Sequence, residues 1–479
     1  MRILALVLLL TRPCLALAAQ QSQPSSPPPL TIHEAVRRAL DNYPAVRAAL
    51  ESLAAAQSGV DLARTTYLPR ADTLVQWNRA TRNNIFGMVL PQPVIPGISG
   101  PIGLNDWDSV WSNAIGLMVA WEPFDFGLRR ANVNTAESTE QRAAASVTVT
   151  RLQVANAAAD GFLVVVAAQQ TLRTAEASVQ RARTLRDSVE ARVNAGLRPG
   201  VDLARARAEL ALAETQRLLA EQNLTAARIG LGHLVDIPPD AIVVSPGALL
   251  QPPAAEPAGI GPVPGTSGTS LMPAPVSPSQ VAGHPVAEEQ KAAIDEAAAR
   301  LRALQLSWVP RFNAQGATFS RGSGAPSATT RLTGFGGLKP TVPNWALGLT
   351  VSFPIMDRPS LKARERTEFY RQRAETARYD RVVQDLSGQL ERAGAFLASA
   401  RLIAQNTPVQ LDAARTVEQQ ATARYQAGLG TIVEVADAQR LLTQAEGDDS
   451  IAKVNIWRGL LQVAAAEGNL EPFLVRVQP

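Results

Sequence analysis

The stretch "ARVNAGLRPGVDLARARAELALAE", Ala191 to Glu214, returns without a gap as "ARYQAGLGTIVEVADAQRLLTQAE", Ala423 to Glu446. A duplication constrains a fold more than any single motif does, because each copy must build the same unit and the units must then pack together. The correspondence extends well beyond this pair. "NYPAVRAALESLAAAQSGVDLARTTYLPR", ending at Arg70, matches "GHPVAEEQKAAIDEAAARLRALQLSWVPR", ending at Arg311, with Pro44 over Pro285 and Pro69 over Pro310. "VAWEPFDFG" around Asp125 parallels "VSFPIMD" around Asp357. The chain therefore reads as two homologous halves, 20–236 and 284–479, preceded by residues 1–19 and joined by 237–283. The joining segment is rich in Pro, Gly and Ser and reads as a linker rather than a core segment.

Each half has the same internal order. An Ala- and Arg-rich helix comes first, from Pro44 to about Leu68 and from Pro285 to about Trp308, closed by a proline that cannot continue it. After an aromatic region with little helical pattern, a very long helix runs from Leu128 to Ala195 and from about Ser360 to Ala427. At 1.5 Å per residue each reaches about 100 Å, longer than an ordinary globular domain is wide. After the Ala-Gly-Leu a second helix returns, to about Leu234 and Ala466. Gly196 and Gly428 permit the left-handed cap and the reversal, so they mark hairpin tips. Small apolar residues at close spacing with Arg, Glu and Gln between them suit long antiparallel coiled-coil packing. Pro408 falls inside the second long helix and predicts a kink or break there.

Six of the seven tryptophans, Trp77, Trp107, Trp111, Trp121, Trp308 and Trp345, lie in or beside the two aromatic regions. "NWALGLTVSF" alternates strictly, with Trp345, Leu347, Leu349, Val351 and Phe353 opposite Ala346, Gly348, Thr350 and Ser352, and "AIGLMVAW" repeats the pattern. A large-apolar face against a small or polar face, ended by aromatics, is what a lipid-facing barrel strand requires. The competing reading is a half-buried strand of a soluble sandwich. The partner strands are about Ala71 to Arg79 and Phe312 to Ser320, with Gly/Pro/Asn-rich outward loops between, about 80–109 and 322–343. Four strands cannot close a barrel, and an open edge is forbidden in hydrocarbon, so the chain must oligomerise. Two copies give eight strands, too narrow for transport, and three give twelve and a usable pore.

The first residues, "MRILALVLLLTRPCLALAAQ", have the layout of a secretory signal, which makes the protein an exported one. Cys14 follows Thr11-Arg12-Pro13, which does not suit lipid attachment, and it leaves with the signal, so thiol and Cys-ligated metal chemistry are excluded. No later run approaches the roughly 18 to 20 apolar residues of a membrane-spanning helix. The formal charge of +4 is spread as alternating Arg and Glu without a basic block, which is no nucleic-acid footprint. His33, His233 and His284 are far apart and read as structural or surface residues. No phosphate loop, nucleophile elbow or HExxH motif is present, so neither an enzyme nor a cofactor is expected.

The order of these features, repeated twice, resembles the outer-membrane efflux protein (TolC-like) family. The resemblance rests on "LTIHEAVRRALDNYPAVRAA", the YLP and WVP strand starts at Pro69 and Pro310, and the doubled AGL hairpins. It implies a mainly α fold with a membrane β-barrel: a homotrimer whose twelve strands lie in outer-membrane lipid and whose helices form a long periplasmic tube, with the linker and chain ends as a belt around it. It further implies a passive conduit of an efflux or type I secretion system, joined through a periplasmic adaptor (membrane fusion) protein to an inner-membrane pump of the RND, ABC or MFS class. A periplasmic coiled-coil adaptor or scaffold, sharing the hairpins but lacking membrane strands, is the alternative.

The same resemblance assigns site residues. Glu434 and Asp437, three apart on one helix face, match two carboxylate rings at a narrow periplasmic entrance, where three copies of each would favour cations. An ordinary helix N-terminus also accounts for Glu434. Their first-half counterparts are Asp202 and Arg205. Tyr425 and Asp202 match a hydrogen-bonded pair that holds the entrance closed. A basic residue that supplies another link is replaced by Gly430, with Arg198 and Arg205 as its possible substitutes. Ala195, Gly196, Leu197, Ala427, Gly428 and Leu429 match the tips that adaptor hairpins meet. Scarce Met and His argue against a soft-metal cargo; drugs, lipids, hard-metal ions and polypeptides stay open.

Overall fold

The computed structural model describes residues 29–81, 109–253, 278–323 and 336–477. The segment expected to be a signal sequence, with Cys14, and Trp107, most of both loops and residues 254–277 of the linker lie outside the described residues.

The first half opens with α1 (Ile32–Asn42) and α2 (Pro44–Thr65), followed by β1 (Arg70–Thr81) and β2 (Ser109–Phe124). It ends in a hairpin of α3 (Leu128–Asn194) and α4 (Gly200–Val235). A short α5 (Pro278–Val281) leads into the second half: α6 (Pro285–Gln305), β3 (Arg311–Ser323), β4 (Val342–Ser352), and the hairpin of α7 (Arg358–Gln426) and α8 (Ile432–Glu467). A terminal α9 spans Glu471–Val477. The long helices hold 67 and 69 residues, which is about 100 Å each.

In both halves a helix is followed by two strands, a very long helix and a return helix, the order read from the sequence. Pro44 and Pro285 sit at the first helical turn, where a missing N–H costs nothing. One helix was missed. α1 starts with a Thr31 side chain that accepts from the Glu34 backbone N–H, and Glu34 pairs with Arg37 and Arg38. This signature is legible in T-I-H-E as a capping arrangement.

The four strands form one antiparallel sheet in the order β1-β2-β3-β4. β2 and β3 are neighbours although the whole first hairpin, the linker and α6 lie between them in sequence. In register, Val75 faces Ile115, Ile115 faces Ser320, and Thr318 faces Trp345. The alternation therefore collects Ile115, Leu117, Trp345, Leu347 and Leu349 on one face, and Trp345 and Leu347 are 80% and 81% exposed. The pattern read from "NWALGLTVSF" is the one the sheet adopts.

The largest core lies at mid-length of the hairpins. It joins Val154 to Val166 of α3, Leu224 to Val235 of α4, Val454 to Ala464 of α8, and α1 and α9. Trp457, outside both aromatic regions, is buried here, donates its indole N–H to Gln251 O at 3.0 Å, and meets Phe473 edge-on. The linker reads as a non-core segment, and its start departs from that reading while matching the belt that the resemblance implies. Ile242, Val244 and Leu249 of the linker belong to this core, and Leu30 N–H bonds Val243 O at 2.7 Å. The start of the linker is therefore a packed belt, because its few apolar residues are buried although its composition is loop-like. Of the kink or break expected at Pro408, the break is absent, since α7 is helical throughout. The Pro408 ring is exposed, and the neighbouring Thr407 hydroxyl bonds buried Asp449 of α8 at 3.1 Å, so interhelical packing offsets the one lost backbone bond.

His284 is a structural residue, as its isolation in sequence suggested. Its Nδ1 accepts from Val286 N–H at the start of α6, so Nε2 carries the proton and donates to Ala465 O near the end of α8 at 3.1 Å. Burial pushes its pKa down, outweighing the opposing pull of that carbonyl. A histidine with a lowered folded-state pKa binds its proton more readily when unfolded, so its contribution is complete above the unfolded value near 6.5 and declines as pH falls below it. The guanidinium unfolding midpoint should accordingly drop on acidification from about pH 7.5 to about pH 5.5, and His284→Gln should flatten that dependence. An unchanged slope in the variant would remove His284 as its source.

Candidate functional site

Both hairpin tips close by the same device. Gly196 N–H bonds Val193 O and Leu197 N–H bonds Arg192 O, each at 2.9 Å; Gly428 and Leu429 repeat this on Tyr425 O and Arg424 O. These paired bonds form a Schellman motif, which requires a left-handed residue, and Gly196 and Gly428 have φ of 73° and 80°. Ala195 and Ala427 are the C-caps. Leu197 and Leu429 are each 73% exposed. In many Schellman caps the residue at that position packs on the helix, but here both leucines stay largely exposed.

The return helices start differently. α8 has Thr431 as N-cap, its hydroxyl accepting from Glu434 N–H at 3.3 Å and meeting the Glu434 carboxylate at the same distance. α4 follows Pro199, which makes no side-chain cap. Glu434 thus serves the helix N-terminus, as T-I-V-E indicates, while its carboxylate stays about half exposed with Arg424 Nε at 3.9 Å. Asp437 is exposed and pairs with Arg440 at 2.6 Å, and the same Arg440 nitrogen lies 3.6 Å from Glu209 of α4. Both acids therefore sit within the first turn and a half of α8, just after the tip, and each has an arginine beside it. The D-x-x-R spacing of the second pair was visible in the sequence.

The Tyr425–Asp202 hydrogen bond is not formed. The Tyr425 ring is buried with Leu185, Val189, Ala206, Ile432 and Val435, in a cluster that joins the two hairpins just above their tips. Its hydroxyl finds no hydrogen-bond partner among the described residues. The ring instead lies under two guanidiniums, Arg198 at 4.8 Å and Arg192 at 5.8 Å from its centre. Burial pushes the phenol pKa up, the charge of Asp202 adds to this, and the two arginines oppose it. Asp202 is therefore close enough to be felt without being bonded. Ring stacking on Arg198 and Arg192 fixes the side chain in place of the expected bond.

Arginines also make the polar links between the hairpins. Arg192 donates to Gln426 O at 3.1 Å and Arg198 to Tyr425 O at 3.3 Å. Arg198 hence fills the linking role considered for it, whereas Arg205 is exposed and forms no hydrogen bond or ion pair among the described residues. Gly430 is buried, and a Cβ there would lie 3.2 Å from Tyr425 N and 3.3 Å from the Glu434 carboxylate, so the position has little room for a side chain. Further up, Arg181 of α3 bonds Glu446 and Thr443 of α8, both at 2.9 Å. Nothing in sequence pointed to this tie, because its partners are 265 positions apart. No group of His, Cys, Asp and Glu that could hold a metal occurs among the described residues.

Comparison with known proteins agrees with this architecture. VceC, an outer membrane protein from Vibrio cholerae, superposes with a TM-score of 0.68 over 91% of this chain and 96% of its own, at 17% identity. The Campylobacter jejuni CmeC outer membrane channel gives 0.69 over 91% and 85%, at 15% identity. In sequence, Protein CyaE of Bordetella pertussis is 27% identical over 230 residues, so the match spans 47% of this chain and 44% of that protein. The family described as "Outer membrane efflux protein" matches residues 35–235 and 282–469, that is, both halves and every element of the tips. With two matched repeats, a four-stranded antiparallel sheet and hairpins about 100 Å long, the chain belongs to the outer membrane efflux protein family of outer-membrane channels.

Proposed function

We propose that three copies of this chain form a passive channel that crosses the outer membrane and extends into the periplasm. Each copy would contribute its four strands to one twelve-stranded barrel, and an inner-membrane pump of the RND, ABC or MFS class would drive cargo through it by way of a periplasmic adaptor. The observation that carries this reading is the sheet. Among the described residues no strand lies beside its β1 and β4 edges, and the large side chains of its apolar face are exposed. In hydrocarbon every backbone N–H and C=O must be paired, so β4 of one copy meets β1 of the next until the ring closes.

The tips supply the entrance. Glu434 and Asp437 from three copies place six carboxylates around the narrow end, and the exposed Leu197 and Leu429 offer an apolar contact for an adaptor. The chemistry asked of the protein is selection and gating, with no covalent step.

The test is conductance in planar bilayers, with the wild type set against a Glu434→Ala, Asp437→Ala double variant. The expected result is a small cation-selective conductance whose selectivity falls in the variant. Selectivity that persists removes the two acids from the entrance, and two silent proteins with verified insertion remove the channel.

A further inference from the structure

The two entrance acids do not stand alone, and their partners are unequal. Arg424 is 3.9 Å from Glu434 but also donates to Leu429 O at the tip, so it is shared with the turn. Arg440 lies in a fork between two carboxylates on different helices, Asp437 of α8 at 2.6 Å and Glu209 of α4 at 3.6 Å. Glu209 is the most buried of these groups, its side chain 19% exposed against 53% for Arg440 and 61% for Asp437. The arrangement therefore runs from a half-buried acid on the first hairpin, through an exposed arginine, to an exposed acid on the second.

We infer that Arg440 sets the ion selectivity of the entrance, acting as an internal counter-charge that attenuates the field of Asp437 and Glu209. This rests on the acidic-entrance reading given above and deepens it. An ion approaching a narrow mouth responds to the summed charge within about a Debye length, roughly 8 to 10 Å at ordinary salt. A guanidinium 2.6 Å from a carboxylate is well inside that range, so the pair presents a dipole where Asp437 alone would present a full charge. Per chain, the cluster sets Glu434, Asp437 and Glu209 against Arg424 and Arg440. Replacing Arg440 by a neutral residue raises the net negative charge at each copy by one, and threefold symmetry repeats that change around the ring. Because the Arg440–Asp437 pair is exposed, it adds little to folding stability, and comparing the Gln and Lys variants separates the electrical role from the tie to the more buried Glu209.

The experiment measures reversal potentials under a salt gradient in planar bilayers for the wild type, Arg440→Gln, Arg440→Lys, and the Glu434→Ala, Asp437→Ala double variant. Arg440→Gln should raise the cation-to-anion permeability ratio about twofold or more, as removing one compensating charge per copy from a focused mouth requires. Arg440→Lys, which keeps the charge but cannot fork between two carboxylates, should stay near the wild type. An Arg440→Gln ratio equal to wild type, while the acidic double variant loses selectivity, overturns the inference and leaves the entrance in place. A Lys variant that behaves like Gln also overturns it, since the geometry and not the charge would then be what matters. If the double variant itself keeps wild-type selectivity, the acidic entrance falls and this inference falls with it.

Discussion

Leu347→Arg should abolish recovery of the protein from the outer-membrane fraction, while Ala346→Arg, one residue away, should leave assembly intact and alter only conductance. Leu347 is the middle residue of β4 and 81% exposed, and its strand alternates so that Ala346 faces the other way. A charge on the lipid face near the bilayer midplane costs about 2–4 kcal/mol per strand, whereas lumen positions tolerate charge. In a closed ring every copy carries the lesion, so the cost is incurred three times. The measurement is the amount of cross-linked oligomer in the membrane fraction for each variant. Equal recovery of both would mean that the Leu347 face is not in lipid.

What could be read before the structure follows from which forces are local. Gly196 and Gly428 were legible because a left-handed cap leaves few other residues to choose from, and both have positive φ. The strands were legible because lipid outside and a channel inside impose a strict period of two, which "NWALGLTVSF" displays. Long-range pairing was not legible. Arg181 meets Glu446 because two hairpins of similar length align side by side, and His284 meets Ala465 because the start of α6 packs against the end of α8, and no spacing rule connects such positions.

The misreadings have a common cause. Ile242 and Leu249 sit among prolines and glycines and so look like linker, but each is 1% exposed, because a chain returning from α4 to α6 has to cross the waist of the bundle. Tyr425 and Asp202 were matched by position, and position predicts proximity better than it predicts a bond. With Arg192 and Arg198 over the ring, the phenol is held by its face. The halves repeat in topology, and the tips still differ in how each return helix begins, Thr431 capping one and Pro199 opening the other.

The same divergence yields the second large effect, at the junction between barrel and helices. Asp125 precedes α3, where Gly127 takes φ of 92°, and its carboxylate accepts from the backbone N–H groups of Gly127 and Arg129 and from the Arg129 guanidinium at 3.1 Å. Arg129 in turn donates to Thr66 O and lies over the Tyr67 ring at 4.8 Å, so one ion pair ties the end of α2 to the start of α3. Both side chains are about nine-tenths buried. Removing one partner of a buried pair leaves an uncompensated charge, and Asp125→Ala should therefore cost about 3–5 kcal/mol. Asp357, its counterpart before α7, is exposed and caps nothing with its side chain, so Asp357→Ala should stay within about 0.5 kcal/mol. Burial alone would raise the Asp125 pKa, but the hydrogen bonds from Arg129 and Gly127 outweigh it and hold the carboxyl below its usual range. A lowered folded-state value means that this stability is complete above about pH 4 and is lost as pH falls further towards the folded pKa. Guanidinium midpoints followed by circular dichroism in detergent provide the comparison. Equal shifts for the two alanine variants would show that the repeat is symmetric in energy as well as in topology, and that the buried pair does not anchor the barrel to its helices.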